Sequence, residues 1–283
     1  MGKAMFMRKG AEHTAPSNLP PVGTALSDMT WEEVRAISDQ GLAADYFAVG
    51  DTKSIVINGT VGATTFSSLT VAAFILGFDH NSETEGANTI HFKIGKISSK
   101  QIALVDGSYG SYKSGVSGYF NMNTSNSNSG GWASSHMRKT ILGSNGTPTS
   151  PAANTLLAAL PADLRAVMKS VTKYTNNKGG NGDTASKVTS STECLFLPAE
   201  FEMFGVRTYA NSAEQSYQKQ YAYYGAGNSS VHYQHIATGT AIRAHLRSPA
   251  YSSDANFCRT ETSGSVVNSG AYYIWGIAPC FVV

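Results

Sequence analysis

The chain has 283 residues, of which only 14% are charged, and its formal net charge is +2. No long basic run accompanies this balance, so no nucleic-acid partner is expected. No segment approaches the ~20 consecutive apolar residues of a membrane helix, and the basic N-terminus lacks the apolar core of a signal peptide. Plentiful Gly, Ser, Thr, Asn and Tyr are typical of a β-rich extracellular or virion protein rather than a helical cytosolic enzyme.

The N-terminal part predicts a short arm, one capped helix and a hairpin. Residues 1–26 have no apolar period and are expected to form a flexible arm. Thr30 and Glu33 form a capping-box pattern, which predicts a helix that begins at the following Trp. Residues 53–57 predict a strand, and Asn58-Gly59 predicts a hairpin turn directly after it.

Further strands are expected before residue 106. The continuous apolar run 70–78 predicts a central, buried strand. In residues 89–94, Ile90, Phe92 and Ile94 alternate with polar residues, which predicts a half-buried strand. Residues 101–105 predict one more.

The middle of the chain predicts short helices separated by polar loops. Residues 121–131 form a low-complexity loop, after which Ser134 or Ser135 is expected to cap a helix that ends at residue 142. The helices expected next are 152–160, 161–169 and 198–204, with a short strand at 194–197. Strands and helices mixed in this order, followed by a terminal hairpin and a last strand, predict an α+β fold.

The residue types that carry catalysis or bind metals are not arranged in recognisable spacings. The histidines do not supply three or four zinc ligands, and no calcium loop, nucleophile elbow or phosphate loop is present. Neither a metal, a cofactor nor an enzymatic activity is therefore expected. Cys194, Cys258 and Cys280 are interpreted as core thiols, because three scattered cysteines make no disulfide framework.

The C-terminal stretch alternates between framework signals and irregular polar runs. Residues 250–256 and 267–274 combine small polar residues with tyrosines, which is typical of a recognition surface. A Ser263-Gly264 turn should fold the chain back, so that both runs meet at one end of the domain. The predicted ligand-binding residues are Tyr251, Ser252, Ser253, Asp254, Asn256, Arg259, Asn268, Tyr272, Tyr273 and Trp275. We expect most of them to be exposed, and a structural role is the alternative for Trp275.

A resemblance covers most of the chain. It rests on Trp31, DYFAVGD at 45–51, ILGFDH at 75–80, GGWASSHMR at 130–138, LFLP with the following Glu and Gly at 195–205, and LRSP at 246–249. On these pieces, residues 31–283 resemble an uncharacterised domain family of phage tail proteins and gut-bacterial proteins. The C-terminal end resembles the variable region of proteins diversified by retroelements. Trp132, Arg138 and Arg247 are expected to belong to the framework, with the planar fork of Arg247 holding loop carbonyls or a buried carboxylate.

The resemblance implies a C-type-lectin-like domain at 27–283, with a variable region at about 244–275. Adenine-directed mutagenesis of Asn-type codons cannot yield Lys, Gln, Met, Trp or Glu. From 250 to 274 the first four are absent and Glu occurs once, at Glu261.

The function that follows is a phage tail receptor-binding protein, made in the host cytoplasm and carried in the virion. Its expected partners are other tail proteins and a bacterial cell-surface protein or glycan, and self-association into a homo-oligomer stays open. One alternative is a bacterial surface or secreted binding module of the same fold. Another is a lectin-fold enzyme of the formylglycine-generating type, which would require Cys258 and Cys280 to approach each other on adjacent strands.

Overall fold

The computed structural model describes residues 19–107 and 113–283. Most of the predicted N-terminal arm, residues 1–18, lies outside the described residues. The remainder of that arm packs against the body of the protein. Leu26 is 3% exposed, and the Tyr46 hydroxyl donates a hydrogen bond to the Pro20 carbonyl. No helix within the described ranges is both long and apolar enough to cross a membrane.

The architecture is mixed α+β, with most of the regular structure in strands and only short helices between them, as the order of predicted elements indicates. The helices are α1 (Trp31–Asp39), α2 (Ala43–Tyr46), α3 (Ser82–Glu85), α4 (Gly131–Ser134), α5 (Leu156–Ala159), α6 (Ala162–Val167), α7 (Glu200–Phe204) and α8 (Ala222–Gly225). The strands are β1 (Thr52–Val61), β2 (Thr64–Phe78), β3 (Ile90–Ile97), β4 (Lys100–Ala103), β5 (Val171–Asn176), β6 (Val188–Glu193), β7 (Leu195–Phe196), β8 (His232–Gln234), β9 (Ala237–Ile242), β10 (Ala244–Pro249), β11 (Asn256–Thr260), β12 (Val266–Gly270) and β13 (Cys280–Val282).

Three open sheets organise the described residues. The largest has the order β1-β2-β3-β4-β8-β9, and β13 pairs with both β3 and β7. β10-β11-β12 and β5-β6 form the other two sheets. At the centre of the core, the Phe281 ring of β13 stacks on Phe92 of β3 at 5.2 Å between centroids, and Trp31 of α1 contacts both rings edge-on. The last strand therefore joins the first helix and the main sheet.

The first helix forms as its capping pattern predicts. The Thr30 hydroxyl accepts from the Glu33 N–H at 3.2 Å, and the Glu33 carboxylate accepts from the Thr30 N–H at 2.7 Å. These reciprocal bonds satisfy two backbone donors that a helix start leaves unpaired. Trp31, Val34 and Ile37 are buried on one face, so the sequence pattern fixes both the start and the orientation of α1.

The first hairpin turns later than its sequence signal predicts. β1 continues through Asn58-Gly59, where the pairing with β2 shifts by a bulge, and the turn lies between Val61 and Thr64. The predicted turn at Asn58-Gly59 is therefore wrong. Gly62 sits in the actual turn at φ +58, and a Cβ there would lie 2.0 Å from the Gly118 carbonyl oxygen. Packing against a distant loop thus selects the turn position.

β3 is buried on both faces, which its alternating pattern does not predict. The expected inward residues are buried, and so are His91 and Lys93, both 0% exposed. Side chains from residues 221–232 cover the second face: the Tyr221 hydroxyl lies 3.3 Å from His91 Nδ1, and the Lys93 ammonium donates to the Tyr224 hydroxyl at 2.7 Å. The prediction of a half-buried strand is wrong because polar partners, rather than water, meet these side chains.

The helices expected in the middle of the chain are present but shorter. The predicted helix before residue 142 is a π-helical segment, Met137–Leu142, and the Ser135 hydroxyl accepts from the Arg138 N–H at 3.1 Å near its start. α7 ends at Gly205, which adopts φ +69. In the C-terminal hairpin, Phe257 is 1% exposed and Val266 is half-buried.

Candidate functional site

The β11–β12 hairpin brings the two irregular C-terminal runs side by side. The strands are antiparallel, with Asn256 opposite Gly270 at the end away from the turn. Just beyond that pair, the Ala271 N–H donates to the Ala255 carbonyl at 2.8 Å. Residues 250–256 and 268–275 therefore meet at one end of the hairpin, and we call the surface that they form the C-terminal face.

The predicted contact residues of this face differ in exposure. Ser252 and Asp254 are exposed. The half-buried members are Tyr251, Ser253, Asn256, Asn268, Tyr272 and Tyr273. Arg259 and Trp275 are buried, each 9% exposed. Because only Ser252 and Asp254 are exposed, the prediction that most of these residues are exposed is wrong.

Trp275 is buried because two guanidinium groups pack on its indole ring. The Arg243 and Arg259 guanidinium carbons lie 5.1 and 5.0 Å from the ring centroid, within the range of cation–π attraction. Both arginines also pair with Glu261, at 2.9 and 2.5 Å. The indole N–H donates to the Ser269 hydroxyl at 2.9 Å. Trp275 and Arg259 thus hold the hairpin in place instead of facing a ligand.

Tyr272 and Tyr273 form the aromatic part of the face. Their ring centroids are 4.4 Å apart, and the Tyr273 ring lies 5.8 Å from Trp275. Both residues are half-buried, so part of each is open to solvent. Tyrosines in this state offer rigid, amphipathic contact area at a low cost in conformational entropy.

Tyr251 lies on the other side of the face and contacts a third loop. Its ring packs under the Arg207 guanidinium carbon at 5.0 Å, and Arg207 pairs with Asp183 at 3.0 Å. The Gly182 N–H donates to the Tyr251 carbonyl at 2.7 Å. The polar loop before β6 is therefore part of this edge.

Asn128 supports the face from below, and sequence reasoning missed it. This fully buried side chain donates to the Ser253 and Asn256 carbonyls at 2.8 and 2.9 Å, and its own N–H donates to the Asp254 carbonyl at 2.8 Å. Its side-chain oxygen accepts from the Gly180 N–H at 2.7 Å. Nothing in the Ser- and Asn-rich run 121–131 distinguishes this Asn from its neighbours.

Arg247 has the framework role that its residue type predicts. Its guanidinium donates to the Leu197 carbonyl and the Thr175 hydroxyl, each at 2.9 Å, and binds the Glu202 carboxylate through both terminal nitrogens. Arg247 and Glu202 are both 0% exposed. Although burial raises the pKa of Glu202, Arg247 and Lys173 hold it well below its usual range.

Glu202 extends this pair into a buried ionic network. The Lys173 ammonium donates to Glu202 at 3.1 Å and to Glu85 of α3 at 2.6 Å. Two carboxylates therefore face two cations, Lys173 and Arg247, so the formal charges of these four groups balance. Burial raises the pKa of Glu85 to about 7, against the opposing effect of Lys173.

Two neutral histidines border the network beside Glu85. His80 Nε2 lies 4.0 Å and His91 Nε2 lies 3.7 Å from its carboxylate oxygens, and neither nitrogen has a hydrogen-bond partner among the described residues. Burial lowers the pKa of His80 to about 3 and that of His91 well below its usual value. Sequence spacing could not reveal this cluster, because its members come from β3 and from loops and helices far apart in the chain.

His80, Glu85 and Glu202 also have the geometry of a candidate metal site. One ligand atom from each lies within 4.8 Å of the others. The Lys173 ammonium, however, already bonds to both carboxylates, so a metal ion would have to displace it or add to the buried positive charge. The donor set therefore fits an internal ion network better than a metal site.

A second buried cluster surrounds Lys93. Its ammonium contacts the Tyr224 hydroxyl at 2.7 Å, His232 Nε2 at 2.6 Å and the Gln101 side-chain oxygen at 3.2 Å. None of these three partners is a carboxylate, and burial lowers the pKa of Lys93 to about 7. Burial also lowers the pKa of His232 well below its usual value, so its imidazole is neutral and its Nε2 can accept a hydrogen bond from the Lys93 ammonium.

Comparison with known proteins gives one match. A family model for a domain of unknown function, DUF6273, matches residues 98–283, which is more than half of the chain. The chain belongs to the DUF6273 family. No curated protein matches it, and no solved structure does.

The DUF6273 region contains the whole C-terminal face together with Asn128, Lys173, Glu202 and Arg247. It does not contain α3 or β3, which supply Glu85, His91 and Lys93. Because β13 pairs with β3, the last strand of the matched region completes its sheet with a strand that precedes the region. The two parts of the chain therefore share one core.

The cysteines of this DUF6273 protein are buried free thiols, as predicted. Cys258 belongs to the β10-β11-β12 sheet and Cys280 to the largest sheet, so the expectation that they could approach on adjacent strands is wrong. Burial raises the pKa of Cys280 to about 12 and that of Cys258 well above its usual value. Thiols in this state are poor nucleophiles at neutral pH.

Proposed function

We propose that this DUF6273 protein is a receptor-binding adhesin of a phage tail. In this proposal, the C-terminal face binds a molecule on the bacterial surface by shape and hydrogen-bond complementarity, and no reaction is catalysed. The observation that carries the proposal is the way in which the face is attached. Its loops are anchored mainly through main-chain atoms.

The anchoring bonds do not depend on which side chains the loops carry. Asn128 binds the main chain of residues 253, 254 and 256. The carbonyls of Tyr251, Ala271 and Tyr272 accept from the N–H groups of Gly182, Asn123 and Gly115, at 2.7, 2.9 and 3.0 Å. Because every residue type offers a main-chain carbonyl, substitutions of the loop side chains leave these bonds intact. This arrangement suits a face whose sequence is diversified while its scaffold stays constant.

The chemistry of the face favours binding over catalysis. Tyr251, Tyr272 and Tyr273 offer half-exposed aromatic rings, and Ser252 and Asp254 offer exposed polar groups. This mixture is typical of paratope-like surfaces, where aromatic anchors contribute most of the affinity. In contrast, Glu85 and Lys93, whose pKa values are shifted strongly by burial, are buried and do not belong to the face.

The finer assignments belong to the same proposal. They are a C-type-lectin-like fold, diversification of residues at about 244–275 by a retroelement, location in the virion and association with other tail proteins. A hairpin that presents irregular polar loops at one end of a three-stranded sheet supports the first two of these assignments. A bacterial surface or secreted module of the same fold would use the same face, so the adhesin assignment depends on the particle that carries the protein.

The test is binding of the purified protein, and of tail particles that carry it, to whole bacterial cells. Tyr251→Ala and Tyr273→Ala should each weaken saturable binding by about tenfold or more, the effect of losing an interface anchor. Their melting temperatures should stay within a few degrees of the wild type, because neither side chain is fully buried.

The matched control is Tyr217→Ala, since Tyr217 is 40% exposed and lies outside the face. This variant should bind cells like the wild type. If Tyr251→Ala and Tyr273→Ala bind cells as the control does, the face is not the receptor site. Absence of the protein from purified particles would replace the phage assignment by the bacterial one.

A further inference from the structure

A polar groove adjoins the C-terminal face. It consists of two open clefts of about 340 and 420 Å³. Loop 123–129 lines the first cleft and residues 152–155 line the second, while Lys139 and Thr140 line both. Lys139 therefore stands at the junction of the two clefts, where an extended ligand that fills both would pass.

The groove is joined to the face through its loop. The Asn123 N–H donates to the Ala271 carbonyl at 2.9 Å, and Ala271 directly precedes Tyr272. Asn128, in the same loop, holds residues 253–256. A ligand bound to the face could thus continue into the groove without crossing an unrelated surface.

Hydrogen-bonding groups dominate the lining of the groove. Every residue that lines the first cleft has a hydroxyl, amide, imidazole or ammonium group, among them Thr124, Ser125 and Ser129, all exposed. The second cleft adds Ser117, Asn154 and small residues. No aromatic or large aliphatic side chain lines either cleft within the described ranges, so the groove lacks the apolar anchors that a peptide or a drug-like molecule requires.

The described residues that line the groove include one cationic side chain. Lys139 is the only charged side chain among the described residues that line the two clefts. Its side chain is exposed, and its ammonium has no hydrogen bond or ion pair with any other described residue. His136 is not a second cation, because its Nε2 accepts from the Gly118 N–H at 3.1 Å and burial lowers its pKa. One cation without aromatic stacking partners does not suit a nucleic acid, which needs several phosphate contacts.

We propose that the polar groove binds an acidic oligosaccharide, with the Lys139 ammonium pairing with a sugar carboxylate. The hydroxyls of the sugar chain meet the Ser, Thr and Asn groups of both clefts, and the carboxylate meets Lys139, the one charged side chain among the described residues that line them. This inference rests on the proposed adhesin function, for which it names the chemical class of the bacterial ligand.

The experiment is calorimetric titration of the purified protein with an oligogalacturonate and with its methyl ester, which has the same chain but no charge. The acidic oligomer should bind saturably. The affinity of the ester should be lower by about tenfold or more, which is the effect of losing a hydrogen bond to a charged group. Lys139→Ala should reduce binding of the acidic oligomer to the level of the ester, and Lys139→Arg should retain most of it. Lys178→Ala, at an exposed lysine outside the groove, is the control and should bind like the wild type.

The outcomes separate this inference from the adhesin proposal. Equal binding of acid and ester, no saturable binding of either, or full binding by Lys139→Ala would overturn the inference. A glycerol-phosphate oligomer that binds more tightly than the uronate would also overturn it, because the ligand would then be a phosphodiester polyol. If Tyr273→Ala loses cell binding but the wild type binds no uronate, the adhesin proposal stands and this inference fails. If the wild type binds uronate but Tyr273→Ala binds cells like the wild type, the groove binds the sugar and the adhesin proposal fails.

Discussion

Substituting Lys173 by Met should show how much the buried ionic network contributes to folding. Lys173 is 1% exposed in its side chain and donates to Glu85 at 2.6 Å, to Glu202 at 3.1 Å and to the Tyr221 hydroxyl at 3.2 Å. Met keeps the volume, and its thioether can still pack on the Phe196 ring, which the ammonium approaches to 4.3 Å. The change therefore removes the charge with little loss of packing.

The expected loss of stability comes from Glu85, whose carboxylate loses the Lys173 ammonium. Glu202 keeps Arg247, but Glu85 loses the only cation that is hydrogen-bonded to it among the described residues. Removal of one partner from a buried ion pair costs about 3–5 kcal/mol of folding stability. Glu85 can escape this penalty by taking up a proton. Its folded-state pKa, already about 7 against 4.5 for the unfolded chain, should rise further without Lys173. The variant should then lose stability relative to the wild type as the pH rises above 7.

Urea denaturation of wild type, Lys173→Met, Glu85→Gln and the double variant at pH 6 and pH 9 measures this effect. Glu85→Gln in the Lys173→Met background should recover at least about 1 kcal/mol at pH 9, because it restores one carboxylate facing one cation. The reasoning is refuted if Lys173→Met lowers the free energy of unfolding at pH 9 by less than about 1 kcal/mol. A cost independent of pH, or strict additivity of the two substitutions, would also refute it.

Two further substitutions test other parts of the structure. Burial raises the pKa of Glu214 to about 7, so this carboxyl lowers the stability of the wild type as the pH rises from 4.5 through 7. Gln does not titrate. The free energy of unfolding of Glu214→Gln should therefore rise relative to the wild type by up to about 3 kcal/mol between pH 5 and pH 8. Parallel pH–stability profiles in denaturant titrations would contradict this expectation. Gly131→Ala should lower the free energy of unfolding by about 3 kcal/mol or more, because Gly131 adopts φ +53 and a Cβ there would lie 1.9 Å from the Asn176 carbonyl oxygen. Gly86→Ala, also at positive φ but with nothing within 4 Å, is the control in the same thermal melts, and an equal loss in both variants would show that backbone strain alone decides the cost.

The sequence by itself determined the elements whose signals are local. The capping box placed the start of α1, the apolar run placed β2 and the Ser263-Gly264 signal placed the last hairpin, because each depends on neighbours within a few residues. The same hairpin explains why 250–256 and 268–275 were expected to meet. The resemblance assigned Arg247 to the framework, and its residue type indicated the partner, since a planar guanidinium suits a buried carboxylate.

Only the tertiary structure decided what lies against each surface. Polar residues that alternate along β3 were expected to face water, but residues 221–232 fold over them and supply partners to His91 and Lys93. Trp275 and Arg259 were expected on the exposed face, but Arg243 and Glu261 complete a packed group around them. In each case the partner comes from another segment of the chain.

The same reason explains the sites that sequence patterns missed. Glu85, Lys173 and Glu202 join through contacts between α3, β5 and α7, and Asn128 meets the C-terminal face across 125 or more positions of the chain. A periodic pattern records which side of an element is apolar. It does not record whether the polar side will meet water or a buried partner, because that depends on long-range packing that no local window contains.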